Sequence, residues 1–176
     1  MRPHQSIDLT PAQAAEHIQA ELACAGQALA LEGPASGPLD AQDLDTALDA
    51  YVRALGLALQ LGPAPAEEVL QAVVHAAQLL GQRGDAAALS ALGPALVDLV
   101  AQVRTAGALP PTAIMEAWAT VAADLGTLVG QVGLALALPP ERQTGMMDKA
   151  RARAVLLDDA TRALFSLTPW IDRLIS

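Results

Sequence analysis

Two proline pairs, Pro110-Pro111 and Pro139-Pro140, bracket the segment Thr112 to Leu138. Its apolar residues Ile114, Trp118, Val121, Leu125, Leu128, Val132 and Leu136 recur at spacings of four and three. At about 100° per residue they form one narrow stripe, which is the helical period and not the strand period. Glu116, Thr120, Asp124, Thr127 and Gln131 take the opposite face. The stripe predicts that Trp118 is a core residue. Beside it runs a seam of small residues that includes Ala122, Gly126, Gly130 and Gly133. A glycine in a helix interior costs roughly 1 kcal/mol relative to alanine. Something must offset three of them, and the simplest candidate is another helix backbone packed closely on the seam.

The rest of the chain reads as helices arranged around this one. Thr10-Pro11-Ala12-Gln13 carries the residues of a capping box, with Pro at the first helical position. Residues 1–9 show no period and are expected to form a flexible N-terminal arm. Glycine and proline between Glu32 and Pro38 mark a loop. A second helix starts near Asp40 and stops at Gly62-Pro63, with Asp49 and Arg53 spaced as an i,i+4 pair. A third starts at Pro65, with Glu67 and Glu68 in its first turn. Asp85 can cap a fourth stretch, which Gly93-Pro94 is expected to break or kink. The last long helix runs from Glu141 to Leu167, with Met146, Ala150, Ala154, Leu157 and Leu164 facing inward. Thr168-Pro169-Trp170 then starts a short terminal helix. No stretch has strand or hairpin character. The expected fold is all-α, an up-down bundle of five or six helices forming a single domain over residues 10–176.

Charge and composition narrow the function classes. The net charge is −9, which is not the basic footprint of a nucleic-acid binder. The imbalance lies before Glu141; the remainder carries six basic and five acidic residues. There Arg142, Lys149 and Arg153 fall within about 40° of one another on an ideal helical wheel. Asp148–Arg151 and Asp158–Arg162 have spacings at which they can neutralise each other. The single cysteine, Cys24, has no partner within the chain, which suits a reducing compartment. Its place among alanines predicts a buried thiol. No uncharged run reaches the roughly 18 apolar residues of a spanning helix, and the N-terminus has no apolar signal segment. The expectation is a cytoplasmic protein with no membrane partner.

Catalytic patterns are sought and not found. His4, His17 and His75 share no i,i+3 or i,i+4 spacing with one another, so no zinc or di-iron ligand set is apparent. Glu67-Glu68 is an adjacent carboxylate pair with a claim on magnesium, and a place near a helix start accounts for it. No glycine-rich phosphate loop is present. His75 is followed by Ala76, Ala77, Gln78 and Leu79, without the lysine and glycine that follow the histidine of phosphotransfer bundles. No cofactor is expected and no catalytic residue is assigned. The reading is a non-enzymatic helical protein that acts by binding a protein partner, itself included as a homodimer. Arg142, Lys149, Arg153 and Trp170 are the candidate partner-binding residues. Two alternatives remain: a regulatory or nucleic-acid-associated factor using the Arg142/Lys149/Arg153 face, and a small-ligand-binding bundle with a pocket near Trp118, Met146 and Met147. Duplex DNA is not expected to bind the isolated chain.

Overall fold

A computed structural model of the chain describes residues 10–29 and 39–175. The arm at 1–9 and the loop at Glu32–Pro38 lie outside or largely outside that range. Seven helices and no strand are found among the described residues: α1 (Pro11–Ala28), α2 (Ala41–Leu61), α3 (Pro63–Gln82), α4 (Ala86–Thr105), α5 (Ala113–Ala137), α6 (Pro140–Ala160) and α7 (Leu167–Ile175). The helix count therefore exceeds the expected five or six. The simple up-down order also needs amending. Helix α4 packs most heavily on α5 and also meets α2, whereas α3 touches α4 only lightly and reaches α5 directly.

The helix starts follow local chemistry. Thr10 accepts from the Gln13 N–H while Gln13 accepts from the Thr10 N–H, closing the capping box. Asp40 accepts from Gln42 N–H, Asp85 from Ala88 N–H and Thr112 from Met115 N–H, each relieving a backbone donor the helix leaves unpaired. Helix α3 starts two residues earlier than expected, because the connection from α2 is the single residue Gly62. Glu67 and Glu68 therefore fall beyond the first turn, and Glu68 instead bonds Gln19 of α1. Pro94 does not end α4, which runs continuously across it.

The core is aliphatic and continuous across the helices. In α5 it is rotated relative to the expected stripe. Met115, Ala119, Ala122, Gly126, Val129 and Gly133 are buried with Leu125, Leu128 and Val132. Ile114 is 54% exposed and Trp118 is only partly buried. The centre of the packing on α5 thus lies between the stripe and the small-residue seam. The seam faces α4. A Cβ built on Gly93 would lie under 3.0 Å from the Gly126 carbonyl oxygen and the Gly130 amide nitrogen. A Cβ on Gly126 would lie 2.7 Å from the Gly93 carbonyl oxygen, and one on Gly133 2.5 Å from the Ser90 amide nitrogen. Gly130 is different: its nearest neighbours, Pro94 Cδ at 3.6 Å and Gly93 Cα at 3.9 Å, leave ordinary room for a methyl.

Helices α4 and α5 are each long and apolar enough to cross a membrane by length and composition alone. Both contain charged residues, such as Asp98 and Asp124, so neither registers as an uncharged run. About half of each apolar window is buried inside the fold, 44% in α4 and 50% in α5.

Helix α6 stops at Ala160, earlier than its expected end at Leu167, so Leu164 lies beyond it and is exposed. Its buried residues are Met147, Ala150, Ala154 and Leu157; Met146 is only partly buried. Asp158 does not pair with Arg162. Its two carboxylate oxygens accept from the N–H groups of Leu167 (2.7 Å) and Thr168 (3.0 Å), so the first turn of α7 is capped from α6 and not by Thr168. Asp158→Ala leaves both donors without that acceptor. Loss of such a cap typically costs about 1 kcal/mol, up to about 2, and amide exchange should rise first in α7. Unchanged protection there would show that the cap is dispensable.

Candidate functional site

A concavity of about 530 Å³ lies between the first half of α5 and the last half of α6. Farther along, Leu128, Val132 and Ala135 of α5 are buried, as are Met147 and Ala150 of α6. Toward the start of α5 a groove opens. Ala113, Ala117 and Val121 line one wall; Leu156, Leu157 and Ala160 line the other. Alanine at three of these positions keeps the walls low, which is how the helical sequence makes a groove and not a filled contact. Leu156 is the most exposed large apolar residue described, at 69%. Beyond one end Trp118 meets the edge of Phe165, with ring centroids 6.5 Å apart.

Charged groups sit at fixed places on the groove. Arg153 lies 3.6 Å from the Asp124 carboxylate and donates to Gln131 Oε1 at 3.3 Å. Glu116 lines the groove and also a second concavity of about 550 Å³ under Pro110-Pro111. It pairs with Arg104 at 2.6 Å, and Arg104 also donates to Thr120. These pairs are partly to fully solvated, where an ion pair is worth roughly 0–1 kcal/mol. They set the polarity of the rim more than they hold the fold.

The residues singled out from the sequence are not brought together. Of the seam, Ala122, Gly126 and Gly133 are buried on the α5 side facing α4, and Gly130 is half-buried. Arg142 and Lys149 are exposed, and among the described residues neither is in an ion pair. Arg153 is separated from them in role, because it turns toward α5 and lines the groove. Trp170 is 1% exposed, packed against Gly81 of α3, so the folded chain does not present it to a partner. Its indole N–H is buried with no hydrogen-bond partner. Neither of the two concavities is lined by Trp118, Met146 or Met147, and Met147 is itself core. Cys24 is exposed, contrary to the expected buried thiol. Histidines 17 and 75 are exposed on different helices, and His4 lies outside the described residues.

The electrostatics show pairing across helices. Arg53 does not depend on Asp49 alone: it makes two 3.0 Å bonds to Glu21 of α1. That hydrogen bonding, with the charge of Glu21 and Asp49, raises its pKa against a smaller opposing effect of burial. Arg151 bonds Asp172 of α7 at 2.8 Å, and that bond is the first cause of its raised pKa, with Asp148 a lesser one. Burial pushes the Tyr51 phenol up to about 12, so it stays neutral over the physiological range. Among the described residues no three metal-ligating side chains are grouped.

The sequence reading missed the groove. Its only trace is the run of alanines at 113, 117 and 160 facing leucines, which a linear pattern does not distinguish from ordinary helical filler. It also missed Gly93, whose trace is clearer: Ser90, Gly93 and Val97 repeat on α4 the 3,4 spacing of the α5 seam. No protein-family model, curated protein or solved structure matches this chain.

Proposed function

We propose that the chain acts by binding a protein partner through the groove between α5 and α6, with a second copy of itself as the first candidate. The observation that carries the reading is the exposed Leu156 at the lip of a groove walled by alanine, valine and leucine. Apolar surface of this kind is costly in water and is characteristic of interaction sites. A groove between two helices suits an amphipathic helix, whose i and i+4 side chains enter it while its polar face meets the rim. Glu116, Asp124 and Arg153 supply a rim of both signs. The reading makes the protein non-enzymatic and cytoplasmic, a compartment in which the exposed Cys24 stays reduced.

A small apolar ligand is the second reading, favoured by the groove volume of about 530 Å³, which falls within the usual range for ligand sites. The nucleic-acid reading has less support, since Arg153 is engaged by Asp124 and only Arg142 and Lys149 remain on the open face.

Sedimentation velocity tests the proposal. Leu156→Glu places a charge in the groove without touching the core, so thermal stability should change by no more than about 0.5 kcal/mol. Self-association should weaken at least tenfold, the equivalent of about 1.4 kcal/mol. Equal association of the two proteins would rule out the groove, and a small ligand protecting Leu156 in a purely monomeric chain would favour the second reading.

A further inference from the structure

Three helices in this chain end in the same backbone motif, and one of them lacks the residue the motif wants. After α3, Gly84 N–H donates to the Gly81 carbonyl and Asp85 N–H to the Leu80 carbonyl. After α4, Gly107 and Ala108 make the corresponding bonds to Arg104 and Val103. Both glycines are left-handed, at φ 70° and 67°, as this helix ending requires. After α6 the same pair of bonds runs from Arg162 to Asp159 and from Ala163 to Asp158. Here Arg162 occupies the glycine position at φ 57°, and Ala163 (60°) and Ser166 (47°) are left-handed too. Side chains with a Cβ disfavour this region. The six residues 161–166 thus form a strained turn with no glycine, in a sequence a helix would accept. That is why helical periodicity runs α6 on to Leu167.

The turn is held closed by what lies beyond it. Leu167, Trp170 and Ile171 are buried, and α7 contacts both α6 and α3. We infer that two copies of this chain can exchange α7. In the exchanged dimer α6 continues as helix through residues 161–166, Pro169 sets the bend, and each Leu167–Ile175 fills the seat on α3 and α6 of the other copy. The burial of Leu167, Trp170 and Ile171 is regained on the other copy, helical bonds replace those from Leu167 and Thr168 N–H to Asp158, and the left-handed residues return to helical geometry. Short hinges under strain favour such exchange. The contact of Phe165 with Trp118 opposes it, because Phe165 lies in the hinge and is buried only in the closed form. The inference rests on the self-association proposed above but does not need the groove.

The test is the full chain with Arg162–Leu164 deleted, in a Trp118→Phe background so that Trp170 is its only tryptophan. The shortened hinge prevents α7 from folding back on its own chain. The expected result is a dimer by sedimentation with Trp170 emission at a buried wavelength, turning to that of solvent-exposed indole as dilution dissociates it. A folded monomer, or a dimer whose Trp170 stays buried after dissociation, would overturn the exchange. If the deletion prevents folding, a chain carrying Arg162→Gly and Ala163→Gly decides. Both glycines fit the closed turn, so the dimer Kd should rise about tenfold relative to wild type; an unchanged or lower Kd, or no wild-type dimer at the highest attainable concentration, would overturn it. Leu156→Glu separates the two ideas: it should leave the hinge-deleted dimer intact while dissolving a dimer built on the groove.

Discussion

Gly93→Val is expected to be the most damaging single substitution in the packed interior. The new Cβ would lie under 3.0 Å from two backbone atoms of α5, the Gly126 oxygen and the Gly130 nitrogen. No flexible side chain is there to give way, so α4 and α5 must move apart along the contact that both helices share most extensively. Overpacking typically costs 1–3 kcal/mol and sometimes more; with backbone as the obstacle, about 3 kcal/mol or more is expected. That is a large part of the 5–15 kcal/mol usual for a folded domain. Urea denaturation measures it, and Gly130→Ala is the control. Gly130 has ordinary space for a methyl, and alanine in place of an internal helical glycine contributes roughly 1 kcal/mol. The control should therefore be neutral or stabilising. Matching midpoints for the two variants would mean that the α4–α5 contact is not as close as described.

Trp170→Ala should come next, through a different mechanism. Trp170 is among the largest fully buried side chains and closes α7 against Gly81 of α3. Removing a buried aromatic typically costs about 3–5 kcal/mol. One feature reduces the net loss here: the indole N–H has no partner, and a buried unmade hydrogen bond carries a penalty of about 1–3 kcal/mol that alanine removes. A net loss of about 2–4 kcal/mol is therefore expected, a fall of roughly 5–15 °C in Tm for a chain of this size. Trp170→Phe keeps most of the ring and removes the orphan donor, so it should cost much less than alanine. Calorimetry of both variants tests the account. If phenylalanine is as damaging as alanine, the indole N–H is making a bond and the orphan assignment is wrong.

Much of the groove could not have been read from the residue order. Its walls are built from alanines at 113, 117 and 160, which are helix formers first and mark nothing along the chain. The basic triad is divided in the fold for a related reason. Arg142, Lys149 and Arg153 share a wheel sector, but Asp124 and Gln131 on the neighbouring helix draw Arg153 out of it. A helical wheel contains only the helix's own residues and cannot register such a competitor. The same holds for Arg53, whose local partner Asp49 is outweighed by the two-bond contact with Glu21 of α1.

What the sequence determined by itself was the all-helical class and most of the helix starts, though not the number of helices. Thr10 with Gln13, Asp85 with Ala88 and Thr112 with Met115 act over three residues, so the bonds that start α1, α4 and α5 are already present in the order of the chain. The helix stop at Gly62-Pro63 was legible for the same reason. The tertiary structure alone decided which side of α5 faces inward, because an apolar stripe and a small-residue seam both repeat at the helical period. The buried face was rotated toward the seam, where α4 presents Gly93 and the two backbones come together; Leu125, Leu128 and Val132 of the stripe stayed inside, while Trp118 was left at the edge. It also decided where α6 ends. No glycine stops it, and the turn at 161–166 is imposed by the docking of Trp170 and Ile171 and by the Asp158 carboxylate reaching the first N–H groups of α7. Local propensity is a matter of tenths of a kcal/mol per residue, whereas each large apolar side chain buried is worth roughly 1.5–3 kcal/mol. Where the two conflict, as they do at the end of α6, the contact through space prevails.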